Sequence, residues 1–398
     1  MSEAVLVLNA GSSSIKFELF AVQDDAPVSL FAGQVEGIGA APHFVARAAG
    51  GEPLSERRWE GGGAPASHAA ALGVIIAWLE GALGGRRLVA VGHRVVHGGP
   101  DHAAPALLDA ALLEDLRRLV PLAPLHQPHN LAGIEAAMAA WPGVPQVACF
   151  DTAFHRSHAW EADTFALPPE FYERGIRRYG FHGLSYEYIA WSLAREEPAL
   201  AAGRIVVAHL GNGSSLCAIR NGRSVDSTMG FTALDGVPMG TRCGQIDPGV
   251  LLHLIEAEGM DTAALTRLLY ANAGLKGMSG ISHDVRDLEA SPDPRAARAL
   301  SHYCWRVRRE IGALAAALGG IDALVFTAGI GENARNLRAA ICAGLGFLGI
   351  SLDPQRNAAN AAEISPPGAA TRVLVRPTDE EGMIARHALA LLRRSKVA

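Results

Sequence analysis

Short apolar runs recur along the chain and predict strands at residues 5–8, 88–91, 144–150, 205–210, 324–327 and 372–375. The stretches between them carry helical spacing, clearest at 69–83, 112–122 and 303–318. Strand and helix alternate, so the class expected is α/β. The Gly/Ala-rich segment 46–66 shows neither period and reads as an exposed loop, not a domain linker, because patterned sequence resumes directly after it.

Two stretches share one pattern. VLVLNAGSSSIKFELF and IVVAHLGNGSSLCAIRNG both run apolar strand, glycine, paired serines and second strand, about half a chain apart. Two similar domains facing each other would explain the repeat; strand-Gly-Ser-strand also arises by chance in α/β chains. With 398 residues, 49% of them apolar, the chain is long enough for two domains or three. The formal charge of -5 gives no basic excess, so a nucleic-acid phosphate track has no compositional support, whereas a small anion needs only a local arginine cluster. Five cysteines (Cys149, Cys217, Cys243, Cys304, Cys342) are scattered without CxxC spacing, which speaks against a zinc site or disulfide scaffold and for a reducing cytoplasm. The N-terminus has no basic segment before its apolar run, and glycines break every longer apolar stretch, so neither a signal peptide nor a membrane span is expected.

The turn after the first strand can be an ordinary serine-rich turn or a concavity of N–H groups for phosphate, with Gly11 permitting close approach, Ser12, Ser13 and Ser14 adding hydroxyls and Lys16 a charge. The second loop, HLGNGSS, repeats the arrangement and favours phosphate. There is no GxxxxGK[ST], HExxH or GxSxG, so a P-loop, a zinc protease and a serine hydrolase are excluded. FTAGIGENARNLR is a strand, glycine turn and helix start against which an adenosine or ribose can lie. Arg94 leaves a strand in GHRVVHGG and can fork onto a carboxylate or phosphate, or simply sit in a surface loop. His126 lies among prolines, where structural histidines are common, and Asp151 ends an apolar run, either as a cap or as a ligand-facing acid. RRYGFHG and MGTRCG gather Arg177, Arg178, Tyr179, His182 and Arg242 on glycine-flanked loops, like a concentrated anion site; Asp379, Glu380 and Glu381 start a helix and read as caps. Glycine loops, arginines and isolated acids are the parts of phosphoryl transfer.

Taken together, LNAGSSSIKF, GHRVVHGG, APLHQP, FDTAFH, RRYGFHG, HLGNGSS, MGFTALDGVPMGTR, KGMSGIS, FTAGIGEN and PTDEE resemble, in order and over essentially the whole chain, the acetate kinase family. The resemblance implies the fold shared with actin, hexokinase and the Hsp70 ATPase: two duplicated domains with nucleotide in the cleft between them. Residues 1–153 plus 380–398 would form the N-terminal domain and 154–379 the nucleotide-binding and dimerisation domain. The implied reaction is reversible, magnesium-dependent, in-line transfer of the ATP γ-phosphoryl to acetate, giving acetyl phosphate and ADP, in a cytoplasmic homodimer. Manganese could replace magnesium.

By motif, Asn9 and Glu380 would position the metal; Ser12, Ser14 and Lys16 would hold nucleotide phosphates. Arg94 would bind the substrate carboxylate and Asp151 would orient substrate or metal waters. His182 and Arg242 would stabilise the phosphoryl group, with His126 beside them. His209, Leu210, Gly211, Asn212 and Gly213, then Asp284, Val285 and Arg286, then Gly329, Ile330, Gly331, Glu332 and Asn333 would contact nucleotide. The chain departs from the family pattern at Gln127, Leu184, Tyr186 and Gln245. It departs also at Ala233, where the family has a proline thought to line the acyl-methyl pocket with the positions of Val96 and Leu125. The smaller residue predicts broader acceptance of propionate. A propionate kinase is therefore the rival within the family, and an actin-like nucleotide-dependent filament or chaperone module the rival outside it.

Overall fold

The structure is a computed structural model that describes residues 2–11, 14–59, 63–124 and 126–397, the side chains of 395–397 excepted. Two compact units emerge, Met1–Phe154 with Asp379–Ala398 and His155–Thr378.

Among the described residues the first unit is built on eight strands: β1 Glu3–Ala10, β2 Ser14–Gln23, β3 Ala26–Glu36, β4 His43–Ala48, β5 Pro53–Arg58, β6 Arg87–Val95, β7 Ala106–Leu107 and β8 Gln146–Phe150. Their order is β5-β4-β3-β2-β1-β6-β8-β7. β1 to β5 form an antiparallel meander, while β6 and β8 join parallel to β1. Leu6, Leu8, Ile15 and Phe17 point to one face, where Leu72, Ile75 and Leu79 of helix His68–Ala82 cover them. Helix Glu380–Val397 packs on β1, β3 and β6. Gly92 shows why that helix fits: a Cβ there would sit 2.4 Å from Ile384 Cγ2, so only glycine leaves room for the approach.

The second unit has β9 Arg204–Leu210, β10 Ser214–Arg220, β11 Arg223–Ser227, β12 Ala323–Thr327 and β13 Arg372–Val375, ordered β11-β10-β9-β12-β13. Its first three strands are antiparallel and β12 and β13 parallel to β9. This 3-2-1-4-5 pattern recurs in the first unit as β3-β2-β1-β6-β8. The 25-residue helix Pro294–Leu318 lies across β9, β10 and β11 and buries Tyr303, Val307, Ile311 and Leu314. Among the described residues no helix is long and apolar enough to cross a membrane.

Three expectations need correction. The segment expected to be a loop at 46–66 contains the end of β4 and all of β5; β5 is an edge strand with almost no buried side chain, so it leaves no apolar period to read. The helix expected over 112–122 runs Ala110–Arg118 and gives way to a 3-10 turn at Val120–Leu122, because Pro121 cannot donate to the helix ladder. The helix expected over 303–318 begins nine residues earlier, at Pro294 behind the Asp293 cap, where small buried Ala296 and Ala299 weaken the apolar signal.

Candidate active site

In the first unit the strand register assembles the polar cluster. Asn9 faces Lys16 across the β1–β2 hairpin, Leu8 pairs His93, and Arg94 pairs Cys149, so Asn9, Arg94 and Asp151 come together at the ends of three adjacent parallel strands. Arg94 donates from Nε to Asp151 Oδ1 (3.1 Å), from Nη2 to Asp151 Oδ2 (2.5 Å) and from Nη1 to Asn9 Oδ1 (3.3 Å). Glu380 Oε2 lies 3.6 Å from Arg94 Nε, and Asn9 Nδ2 donates to Glu381 Oε1 (3.1 Å). Burial works against the Arg94 charge, but Asp151 and Glu380 more than offset it and keep the guanidinium protonated. Burial raises the Asp151 and Glu380 carboxyls, and Arg94 opposes the rise in both.

The hairpin turn is closed by Gly11 N–H donating to Ser14 O (2.8 Å), and Lys16 is exposed beyond it; Ser12, Ser13 and Leu125 lie outside the described residues. Asn130 ties the strand ends together, accepting from Val96 N–H (3.0 Å) and donating to Ala10 O (2.7 Å). Val96 is buried, and His126 occupies the cap position of helix Gln127–Ala140.

Sequence reasoning missed a carboxylate group here. Glu18, Asp379 and Glu381 bring one oxygen each within 4.8 Å of one another. Asp379 also caps its helix, accepting from Gly382 N–H (2.7 Å). The Glu18 carboxyl is pushed up to about 7 by burial and by repulsion from Asp379 and Glu381, against the hydrogen bond from Ser29 Oγ (2.5 Å). A carboxyl raised above its ordinary 4.5 loses stability for the fold as pH climbs from 4.5 through about 7 and keeps the loss above that. Glu18→Gln, which does not titrate, is therefore expected to be more stable than the parent by about 1 kcal/mol at pH 8 and by only about a quarter of that at pH 5, in chelator. Calorimetry at the two pH values checks this; the same gap at both would remove the electrostatic cause.

In the second unit, His209, next to last in β9, lies opposite Ser215 of β10, and the loop between the strands holds Gly211, Asn212 and Gly213. Gly211 N–H donates to Gly213 O (3.1 Å), and Ser214 Oγ donates to Gly211 O (2.9 Å). Arg242 donates from Nη1 to Ala233 O (2.6 Å). A Cβ on Gly213 would stand 2.6 Å from Arg242 Nη2 and 3.4 Å from His182 Nε2, so the guanidinium and the imidazole converge on this glycine. The His182 ring stacks on His209 at 4.2 Å and 17°.

Beside the loop is a cavity of about 580 Å³ lined by Gly211, Asn212, Asp284, Val285, Arg286, Gly329, Ile330 and Asn333, together with His283, Glu289 and Ala334. Its size is that of a small-molecule site. The β12–β9 register, Thr327 opposite His209, brings the FTAGIGEN turn alongside HLGNG. Asp284 caps helix Val285–Ala290 and forks with Arg286, whose side-chain and backbone hydrogen bonds hold its carboxyl down to about 2.

Of the residues expected to contact nucleotide, His209, Gly213, Gly331 and Glu332 do not line the cavity, and the Leu210 side chain is in the core. The Gly331 and Glu332 backbone is instead fixed by Arg338, the buried last residue of the FTAGIGENARNLR stretch. It donates to Gly331 O (2.8 Å) and Glu332 O (2.7 Å), satisfying the carbonyls of the short helix Ala328–Asn333. The expected anion cluster loses two members to local partners: Arg177 lies over Tyr172 and 3.8 Å from Asp163, a carboxylate it shares with Arg156 (3.0 Å), and Arg178 pairs with Asp235 (3.2 Å).

Two sheets of one 3-2-1-4-5 topology, with glycine loops and arginines at the strand ends, define the actin- and hexokinase-like ATPase fold. The sequence profile of the acetokinase family matches residues 4–386, and the chain belongs to that family. It is 53% identical to an acetate kinase of Methylocella silvestris, with 98% of each chain covered. Among solved structures, the Porphyromonas gingivalis acetate kinase superposes with a TM-score of 0.87 at 37% identity, covering 98% of this chain and 100% of that one. A propionate kinase from Francisella tularensis gives a TM-score of 0.90 at 35% identity, covering 98% and 99%.

Proposed function

We propose that the protein transfers the γ-phosphoryl group of ATP reversibly to acetate, forming acetyl phosphate and ADP. The observation that carries this reading is the full-length match to acetate kinases at about half identity, 53% in the case cited. The acceptor carboxylate is ionised near neutral pH, so no strong general base is needed. The chemical difficulty is repulsion between two anions, and the residues proposed to meet it are cationic or donors. Arg94 binds the carboxylate and Asp151 orients it; His182 and Arg242 take up charge on the phosphoryl group in flight, and His126 is assigned to the same chemistry. The loop His209–Gly213, the Asp284–Arg286 segment and the turn Gly329–Asn333 hold the nucleotide, aided by Ser14 and Lys16.

Magnesium, or manganese, fits the oxygen donors of the first unit: Asn9 and Glu380 would hold it, and the neighbouring Glu18, Asp379 and Glu381 carboxylates lie close enough together to favour a hard cation. When bound, the ion neutralises phosphate oxygens. The reading also carries a cytoplasmic homodimer. Helices Pro248–Glu256 and Thr262–Ala271 of the second unit bury no residue of their own and expose Leu252 and Ile255, which supports association through that unit.

Incubation with magnesium, ATP and acetate, propionate or butyrate, followed by hydroxylamine trapping of acyl phosphate, tests the reading. Acetate is expected to be the best substrate, and no product from any acid would remove the proposal. Ala233 favours a second reading, a short-chain acyl kinase, because the residue is only half buried and smaller than proline. Its carbonyl, which Arg242 holds, survives in proline, so Ala233→Pro is expected to keep acetate turnover and lower propionate kcat/KM about tenfold, the worth of one methylene. Unchanged propionate efficiency would dissociate residue 233 from selectivity.

A further inference from the structure

We propose that Tyr186 is a positioning residue that fixes the proton on the His182 ring through Ser215. The structure places three polar atoms in a row: Tyr186 OH is 2.5 Å from Ser215 Oγ, and Ser215 Oγ is 2.7 Å from His182 Nδ1. Tyr186 is fully buried and Ser215 is 1% exposed, so bulk water does not compete for the middle of this chain.

Local structure makes the arrangement. His182 sits just before helix Gly183–Glu196 in the left-handed region at φ 58°, and Tyr186 follows one turn later. The cap residue and the first-turn residue of this helix thus both reach Ser215 of β10. His209 stacks on the His182 ring at 4.2 Å and is itself held through Nδ1 by Ser185 Oγ (2.8 Å), which limits how far His182 can swing.

A phenol is a stronger acid than an alcohol, so Tyr186 O–H donates to Ser215 Oγ and Ser215 O–H donates onward to His182 Nδ1. Nδ1 then accepts, and the neutral ring carries its proton on Nε2. That nitrogen is the one facing Gly213, where Arg242 Nη2 also arrives. Two donors converge there. With the relay reversed, a lone pair on Nε2 would face the same place and repel an anion. The kinetic consequence rests on the phosphoryl-transfer reading; the ring's proton position does not.

The test is nitrogen NMR of the histidine-labelled full-length protein, with the His182 signals assigned by their loss in His182→Gln. The parent is expected to show the Nε2–H form. Tyr186→Phe is expected to shift the ring toward Nδ1–H, which Ser215 then accepts, and to lower kcat for acyl phosphate formation ~tenfold with ATP KM unchanged. Ser215→Ala should do the same, and the double variant should cost no more than Ser215→Ala alone, because Tyr186 acts through Ser215. An Nδ1–H ring in the parent, an unaltered ring in Tyr186→Phe, or additive losses would each overturn the relay. If Tyr186→Phe does not fold, Ser215→Ala, which removes a single buried oxygen, decides on the same ring signal. A parent with the Nε2–H ring but no acyl kinase activity would sink the functional reading and leave the relay standing.

Discussion

Replacing Arg242 with alanine is expected to lower kcat by ~100-fold or more while leaving ATP affinity almost unchanged, the loss typical of removing one preorganised donor from a developing charge. The geometry predicts this split. The Arg242 guanidinium converges with His182 Nε2 on Gly213, yet Arg242 is absent from the lining of the 580 Å³ cavity assigned to nucleotide. An interaction made only in the transition state affects kcat and kcat/KM equally and spares ground-state binding. Arg242→Lys should recover little, since one ammonium cannot both donate to Ala233 O and face Gly213 as the planar fork does. Hydroxamate turnover and ATP titration of both variants decide the matter. An alanine variant that turns over normally would remove Arg242 from the chemistry.

Arg94→Ala is expected to have the largest effect on stability and to raise acetate KM by ~30-fold or more, the fold-change for losing ~2 kcal/mol of a hydrogen-bonded charge pair. Arg94 is the counter-charge to buried Asp151 and to Glu380. Removing it strands two carboxylates, and breaking such a pair typically costs about 3–5 kcal/mol. The sign with pH follows from the direction of the shifts. Burial already raises both carboxyls, and without Arg94 nothing comparable opposes it. Acids raised in the folded state destabilise it increasingly as pH rises from their unfolded values through their folded ones. The variant should therefore lie closest to the parent near pH 5 and furthest from it at pH 8. Urea unfolding at both values measures the gap, and a gap independent of pH would assign the loss to packing.

The sequence determined the parts and their order along the chain. Buried strands such as β1, β9 and β12 announce themselves as apolar runs because both of their faces are covered, and the glycine loops stand out because close backbone approach excludes a side chain. The cavity-lining residues of HLGNG, ISHDVR and FTAGIGEN sit in two loops and a helix start whose motifs are local in sequence, which is why they are legible. Tertiary structure alone decided which parts meet. Glu18 reaches Asp379 and Glu381 from a strand far away in sequence, and no local pattern marks it. Arg338 was invisible because its partners are carbonyls, which every residue has. Arg177 and Arg178 mislead for the converse reason: charge is written in the sequence, but the acids that face it, Asp163 and Asp235, are chosen by the fold. Residue type sets what a side chain can do, and only packing sets what it faces.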